Sequence, residues 1–118
     1  MTDPEADHIA QSWIDAWNRH DMDAILAHYT DDFEMTTSHI VSLMNDPTGT
    51  LKGKEALGGY WRKALQAYPD LHIVLEEVYA CVNAVAISYR SVKKGKAVEM
   101  LMLNAEGKVV KAFGCYAD

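Results

Sequence analysis

Apolar residues recur at helical spacing in the first two-thirds of the chain and at every second position in the last third. Ile9, Trp13 and Trp17, with Ala10 and Ile14 beside them, predict a helix over residues 3 to 19 with one heavily aromatic face. Asp3 is the expected cap and Pro4 fits the first turn. Asp21 then reads as a second N-cap, and Ile25, Leu26 and Tyr29 mark a shorter helix through about Tyr29. The run FEMTTSHI, Phe33 to Ile40, predicts a strand with Phe33, Met35, Thr37 and His39 on one face and Glu34, Thr36 and Ser38 on the other. SLMNDPTGTLKG, which holds Asn45-Asp46-Pro47 and two glycines, predicts a loop or a short hairpin. A third helix is predicted from about Lys54 to Tyr68, with Leu57, Trp61, Ala64, Leu65 and Tyr68 inward and Pro69 as its stop.

From Leu71 onward the period is two. LHIVLEEVYAC, AVAISYRSV, AVEMLMLN and KVVKAFGCY are four predicted strands, joined by Val82-Asn83, by Lys93-Lys94-Gly95-Lys96 and by Ala105-Glu106-Gly107. Helices first and an antiparallel meander afterwards predict an α+β domain, with helices on one face of a strongly curved sheet. At 118 residues, 49% of them hydrophobic, the chain is expected to form one domain over residues 1–118 with a substantial core.

Charge removes several function classes. Eleven basic against 17 acidic side chains give a formal −6, which argues against a nucleic-acid partner. No apolar run reaches the roughly 18 to 20 residues of a membrane span, and the acidic start MTDPEAD has no secretory character. A cytoplasmic location without membrane contact is expected. Cys81 and Cys115 are expected to be reduced structural residues. The histidines and carboxylates show no metal-ligand spacing, and no phosphate-cradling or dinucleotide motif occurs, so no metal or cofactor is expected.

Within KAVEMLMLNAEGK, residues 96 to 108, Glu99 interrupts an apolar run. Ala97, Glu99, Leu101 and Leu103 share one face of the strand, and Val98, Met100 and Met102 the other. Both faces are apolar, so the strand is either covered on both sides or faces another subunit. Three places carry a wider resemblance: WIDAWNRHDMDAILAHYTDDF followed by a strand, GTLKGKEAL entering the third helix, and EMLMLNAEGKVV. On these the chain resembles the nuclear transport factor 2-like superfamily, in its SnoaL-like and ketosteroid-isomerase-like branch. The resemblance implies a cystatin-like cone (α+β barrel), with three N-terminal-half helices packed on a strongly curved, mainly antiparallel sheet and a ligand pocket inside. It also implies a homodimer through the outer sheet face, where Met100 and Met102 lie.

Steroid isomerases of this branch use a tyrosine on the first helix, an aspartate base on the first strand and a protonated acid on a late strand. By resemblance these positions fall on Trp13, Thr37 and Glu99. Only the acid is retained, and threonine cannot serve as a base near neutral pH. Glu99, desolvated in an apolar cavity, would hold its proton and donate to a ligand carbonyl or act as a general acid. His39 is the second candidate for proton transfer. Trp13, Trp17, Tyr29, Met35, Thr37, Trp61, Tyr89, Leu101 and Phe113 are expected to line the ligand site, whose aromatic walls suit a hydrophobic small molecule. The leading expectation is a binder of such a molecule. The alternatives are a cofactor-free isomerase, cyclase or lyase using Glu99, and a non-catalytic interaction module whose cavity the tryptophans fill.

Overall fold

The computed structural model describes residues 1–91 and 95–117. In chain order the elements are α1 (Asp3–Asn18), α2 (Met22–Leu26), β1 (Tyr29–Thr37), α3 (Ser38–Met44), β2 (Thr50–Lys52), α4 (Lys54–Ala67), β3 (Ile73–Ala80), β4 (Ala84–Ser91), β5 (Gly95–Leu103) and β6 (Val109–Tyr116). The strands form one sheet in the order β2-β1-β6-β5-β4-β3. Every neighbouring pair is antiparallel except β1 and β6, which run parallel. Register breaks at Tyr29/Glu34, Leu75/Glu77 and Met102/Leu103 bend the strands, since an extra residue on one strand adds local twist. Curvature follows, and the helices pack into the concave face.

Helix α1 is capped by Thr2, whose side chain accepts from the Glu5 amide, not by Asp3, which is the first helical residue. Its C-terminal end is tied to β3 because the Asn18 amide donates to the Ile73 carbonyl at 2.9 Å and accepts from the Ile73 amide at 2.8 Å. His20 adds a 2.7 Å bond to the Leu71 carbonyl, and His28 bridges Ser12 and the Ala24 carbonyl, each at 2.9 Å. Both histidines therefore staple elements together and are not merely solvated.

The region after α2 departs most from the sequence reading. Helix α2 stops at Leu26, and Tyr29 opens β1. The expected strand Phe33 to Ile40 ends at Thr37, and Ser38–Met44 is a fourth helix among the described residues. Ile40, Leu43 and Met44 are spaced i, i+3, i+4, which suits a helix packed by one face; Ile40 is fully buried. Asn45, at φ 52°, closes it in the left-handed conformation. The expected loop or hairpin yields the short strand β2, antiparallel to β1. Gly95 and Lys96 begin β5, whereas Lys93 and Lys94 of the expected turn lie outside the described residues. Cys81 and Cys115, expected inside, are free and exposed.

On β5 the predicted alternation appears in full. Ala97, Glu99, Leu101 and Leu103 are buried, while Val98 and Met100 are each 39% exposed on the convex face. Arg90 lies outside, paired with Glu76 at 2.9 Å.

Candidate ligand site

Between the concave face and the helices lies a cavity of about 150 Å³. Its buried walls come from Trp13 and Trp17 of α1, Tyr60 and Trp61 of α4, Met35 of β1 and Tyr89 of β4. Glu99 of β5 and Tyr116 of β6 complete the interior. Exposed Pro69, Asp70 and His72 of the α4–β3 connection mark the opening, with His39 and Leu43 of α3 across from them. Trp17 and Trp61 are held edge to face, with centroids 5.3 Å apart at 85°, an arrangement that ring quadrupoles favour.

Glu99 is 2% exposed. Burial pushes its carboxyl up to about 8, opposed only by the Tyr89 hydroxyl, which donates to Oε1 at 3.4 Å. At neutral pH the acid is therefore mostly protonated and able to donate. Room for it is made by Gly114, directly opposite on β6. A Cβ on that residue would lie 3.2 Å from Glu99 Oε1 and 3.2 Å from Thr37 Oγ1, so any other side chain would press on the carboxyl group. Phenols surround the acid. Tyr89, Tyr60 and Tyr29 are raised above the usual phenol range, first by desolvation and then by the Glu99 carboxylate or a neighbouring tyrosine. Tyr116 is pushed up to about 12, again chiefly by burial, while its hydroxyl interacts with Tyr89 and Thr37. All four phenols stay neutral across the physiological range.

Of the residues predicted for the site, Trp13, Trp17, Met35, His39, Trp61, Tyr89 and Glu99 line this cavity together. His39 does so from helix α3, not from the strand on which it was expected, and its ring stacks on Tyr116 at 4.0 Å and 12°. Thr37 is buried behind Tyr116 and serves α3 instead, since its hydroxyl caps that helix by accepting from the His39 amide. Tyr29 is in the core beneath the cavity, accepting from Trp13 Nε1 at 2.9 Å, with its ring centroid 4.3 Å from that of Phe33 at a tilt of 35°. Leu101 is likewise fully buried in the core. Phe113 is on the wrong side of the sheet: it is opposite Met100 and Thr36 on the convex face, with the Lys111 ammonium over its ring. The register break near Val109 inverts the parity of β6, so that Ala112, Gly114 and Tyr116 point inward.

Sequence reasoning missed Tyr60 and Tyr116. Leu57, Tyr60, Trp61 and Ala64 follow the i, i+3, i+4, i+7 rule that would have placed Tyr60 inward; Tyr116 shares the inward parity of Gly114. The Trp13 N–H, in the position where the resemblance expects a tyrosine, is already spent on Tyr29. The phenols beside Glu99 thus come from β4, β6 and α4.

The sequence profile of the SnoaL-like domain family matches residues 10–112. Among solved structures, a SnoaL-like protein of unknown function from Burkholderia thailandensis is similar at 46% identity and a TM-score of 0.95, over 99% of this chain and 98% of that one. A candidate isomerase of the SnoaL-like family from Agrobacterium tumefaciens shares the fold at 17% identity and a TM-score of 0.76, over 98% of this chain and 99% of that one. A candidate ketosteroid isomerase from Kribbella flavida does so at 14% identity and 0.73, over 98% and 79%. No curated protein gives a significant sequence match.

Proposed function

The chain belongs to the SnoaL-like family, and from that premise we propose that it binds a neutral, hydrophobic, carbonyl-bearing small molecule in the cone, with protonated Glu99 donating to the carbonyl oxygen. One observation carries the reading: a carboxyl group, 2% exposed, on the wall of an aromatic cavity. Glu99 at about 8 is charged too little at neutral pH to need a counter-ion, and among the described residues no Lys or Arg lines the cavity. An anionic ligand would meet no Lys or Arg there; a neutral acceptor meets a donor in Glu99. A cavity that remains open between three tryptophans also speaks against an interaction module with a filled interior.

A second reading, catalysis, is favoured by the same upward shift, since a general acid works best when it titrates near the operating pH. Enolisation would need a base as well. Thr37 cannot supply one, and His39, stacked on Tyr116 at the opening, is the group on hand for it. Homodimerisation is proposed through the convex face, where Met100 and Phe113 are paired neighbours and Val98 and Tyr79 are also exposed.

The test is a calorimetric titration with acetophenone from pH 6 to 10. Affinity should be constant below about pH 8 and fall above it as the donor is lost. In Glu99→Gln, which keeps an N–H donor but cannot ionise, binding should persist and the pH dependence should vanish. Affinity that rises through this range would mean that the carboxylate is the binding form and would sink the proposal.

A further inference from the structure

Resting on that reading, we infer that the ligand is a single-ring compound with a second hydrogen-bond acceptor, and that Trp17 reads this acceptor. Trp17 Nε1 is the one buried side-chain polar atom without a hydrogen-bond partner among the described residues, and the residue is 8% exposed. A buried donor left unmatched is costly, and folded proteins keep few of them. Its neighbours show that the lack is local. Trp13, one turn earlier, spends its N–H on Tyr29, and Asn18, the next residue, satisfies both ends of its amide on Ile73. Trp17 lines the cavity, so a bound molecule that shifts the indole enough to reach its nitrogen supplies the missing acceptor.

Position separates this donor from the first. Glu99 is bonded to Tyr89, Tyr89 packs on Trp13 at 5.6 Å between centroids, and Trp13 packs on Trp17 at 6.2 Å. Glu99 and Trp17 are thus linked along the wall through Tyr89 and Trp13 and have no direct bond to each other. Size then limits what joins them. A cavity of about 150 Å³ is of the size that holds one benzene-like ring. A four-ring skeleton exceeds it. The ligand class is a monocyclic ketone, ester or lactone carrying a second carbonyl or ether oxygen.

The test compares acetophenone, with one acceptor, and 1,4-diacetylbenzene, with two, on the wild type and on Trp17→Phe, which removes the N–H and keeps a flat ring. In the wild type the two-acceptor compound should bind about tenfold tighter, and the Trp17 indole N–H resonance should move downfield. Trp17→Phe should bring the two compounds to the same affinity, whatever it does to either one alone. A preference that survives Trp17→Phe, or an indole resonance that stays in place on saturation, overturns the assignment to Trp17 while the Glu99 reading stands. Failure of both compounds to bind the wild type overturns both. A 3-keto steroid that binds tighter than either compound refutes the single-ring limit.

Discussion

Glu99 sets a pH signature that can be read without any ligand. Its pKa in the folded protein is raised to about 8 from 4.5, so the native state binds a proton that the unfolded chain releases. Stability from this group is complete below about pH 4.5, declines as pH rises towards 8 and is lost above it. Glu99→Gln should remove that slope. Thermal unfolding from pH 5 to 9 should show the wild type losing stability relative to Glu99→Gln, with the variant ahead by on the order of a few kcal/mol at pH 9. Parallel curves would mean that water reaches the carboxyl group and keeps it ordinary. The acid itself was legible in the sequence, because a lone carboxylate in an alternating apolar strand has few explanations. Its phenolic neighbours were not: a tyrosine on an amphipathic element looks like packing until the fold shows where its hydroxyl ends.

Elements were legible where one period dominated. Helices α1 and α4 and strands β3 to β6 show their spacing over many residues, and the structure places them within a few residues of the prediction. Short elements were not. Helix α3 has only seven residues and follows two threonines, so local β-propensity masked a helical period too brief to stand out. On β6, Phe113 was expected at the site as one of the aromatic residues; the register break that turns it outward depends on pairing with β5 and leaves no mark in a single strand. Thr37→Val, which keeps the shape and removes the cap, should cost about 1 kcal/mol. Hydrogen exchange should speed up selectively in Ser38 to Met44, while β5 amides stay protected. Uniform loss of protection would assign Thr37 to the core instead of to α3.

For the molecule as a whole, the two sides of one sheet have separate employments. The concave side holds the cavity. The convex side carries a transverse row, Tyr79, Ala86, Met100, Phe113 and Thr36, one residue from each of five successive strands. Tyr79 is 54% exposed and Met100 39%, a considerable apolar cost for a lone protein. Sedimentation should give a dimer at micromolar concentration, and Met100→Glu should give a folded monomer with its ligand affinity intact. A wild-type monomer would leave the row without this explanation. Cone and acid were both foreseeable from resemblance and alternation. The unmatched Trp17 nitrogen was not, since only packing reveals which donors go unanswered.

Thr37 belongs to two neighbourhoods at once. Its hydroxyl holds the first turn of α3, the helix that carries His39 and Leu43 at the opening, and the same atom faces the space at Gly114 beside the Glu99 carboxyl. Doorway and floor are hinged on one side chain. On the proposed function, a change at Thr37 therefore reaches both the rim of the cavity and the wall beside its acid.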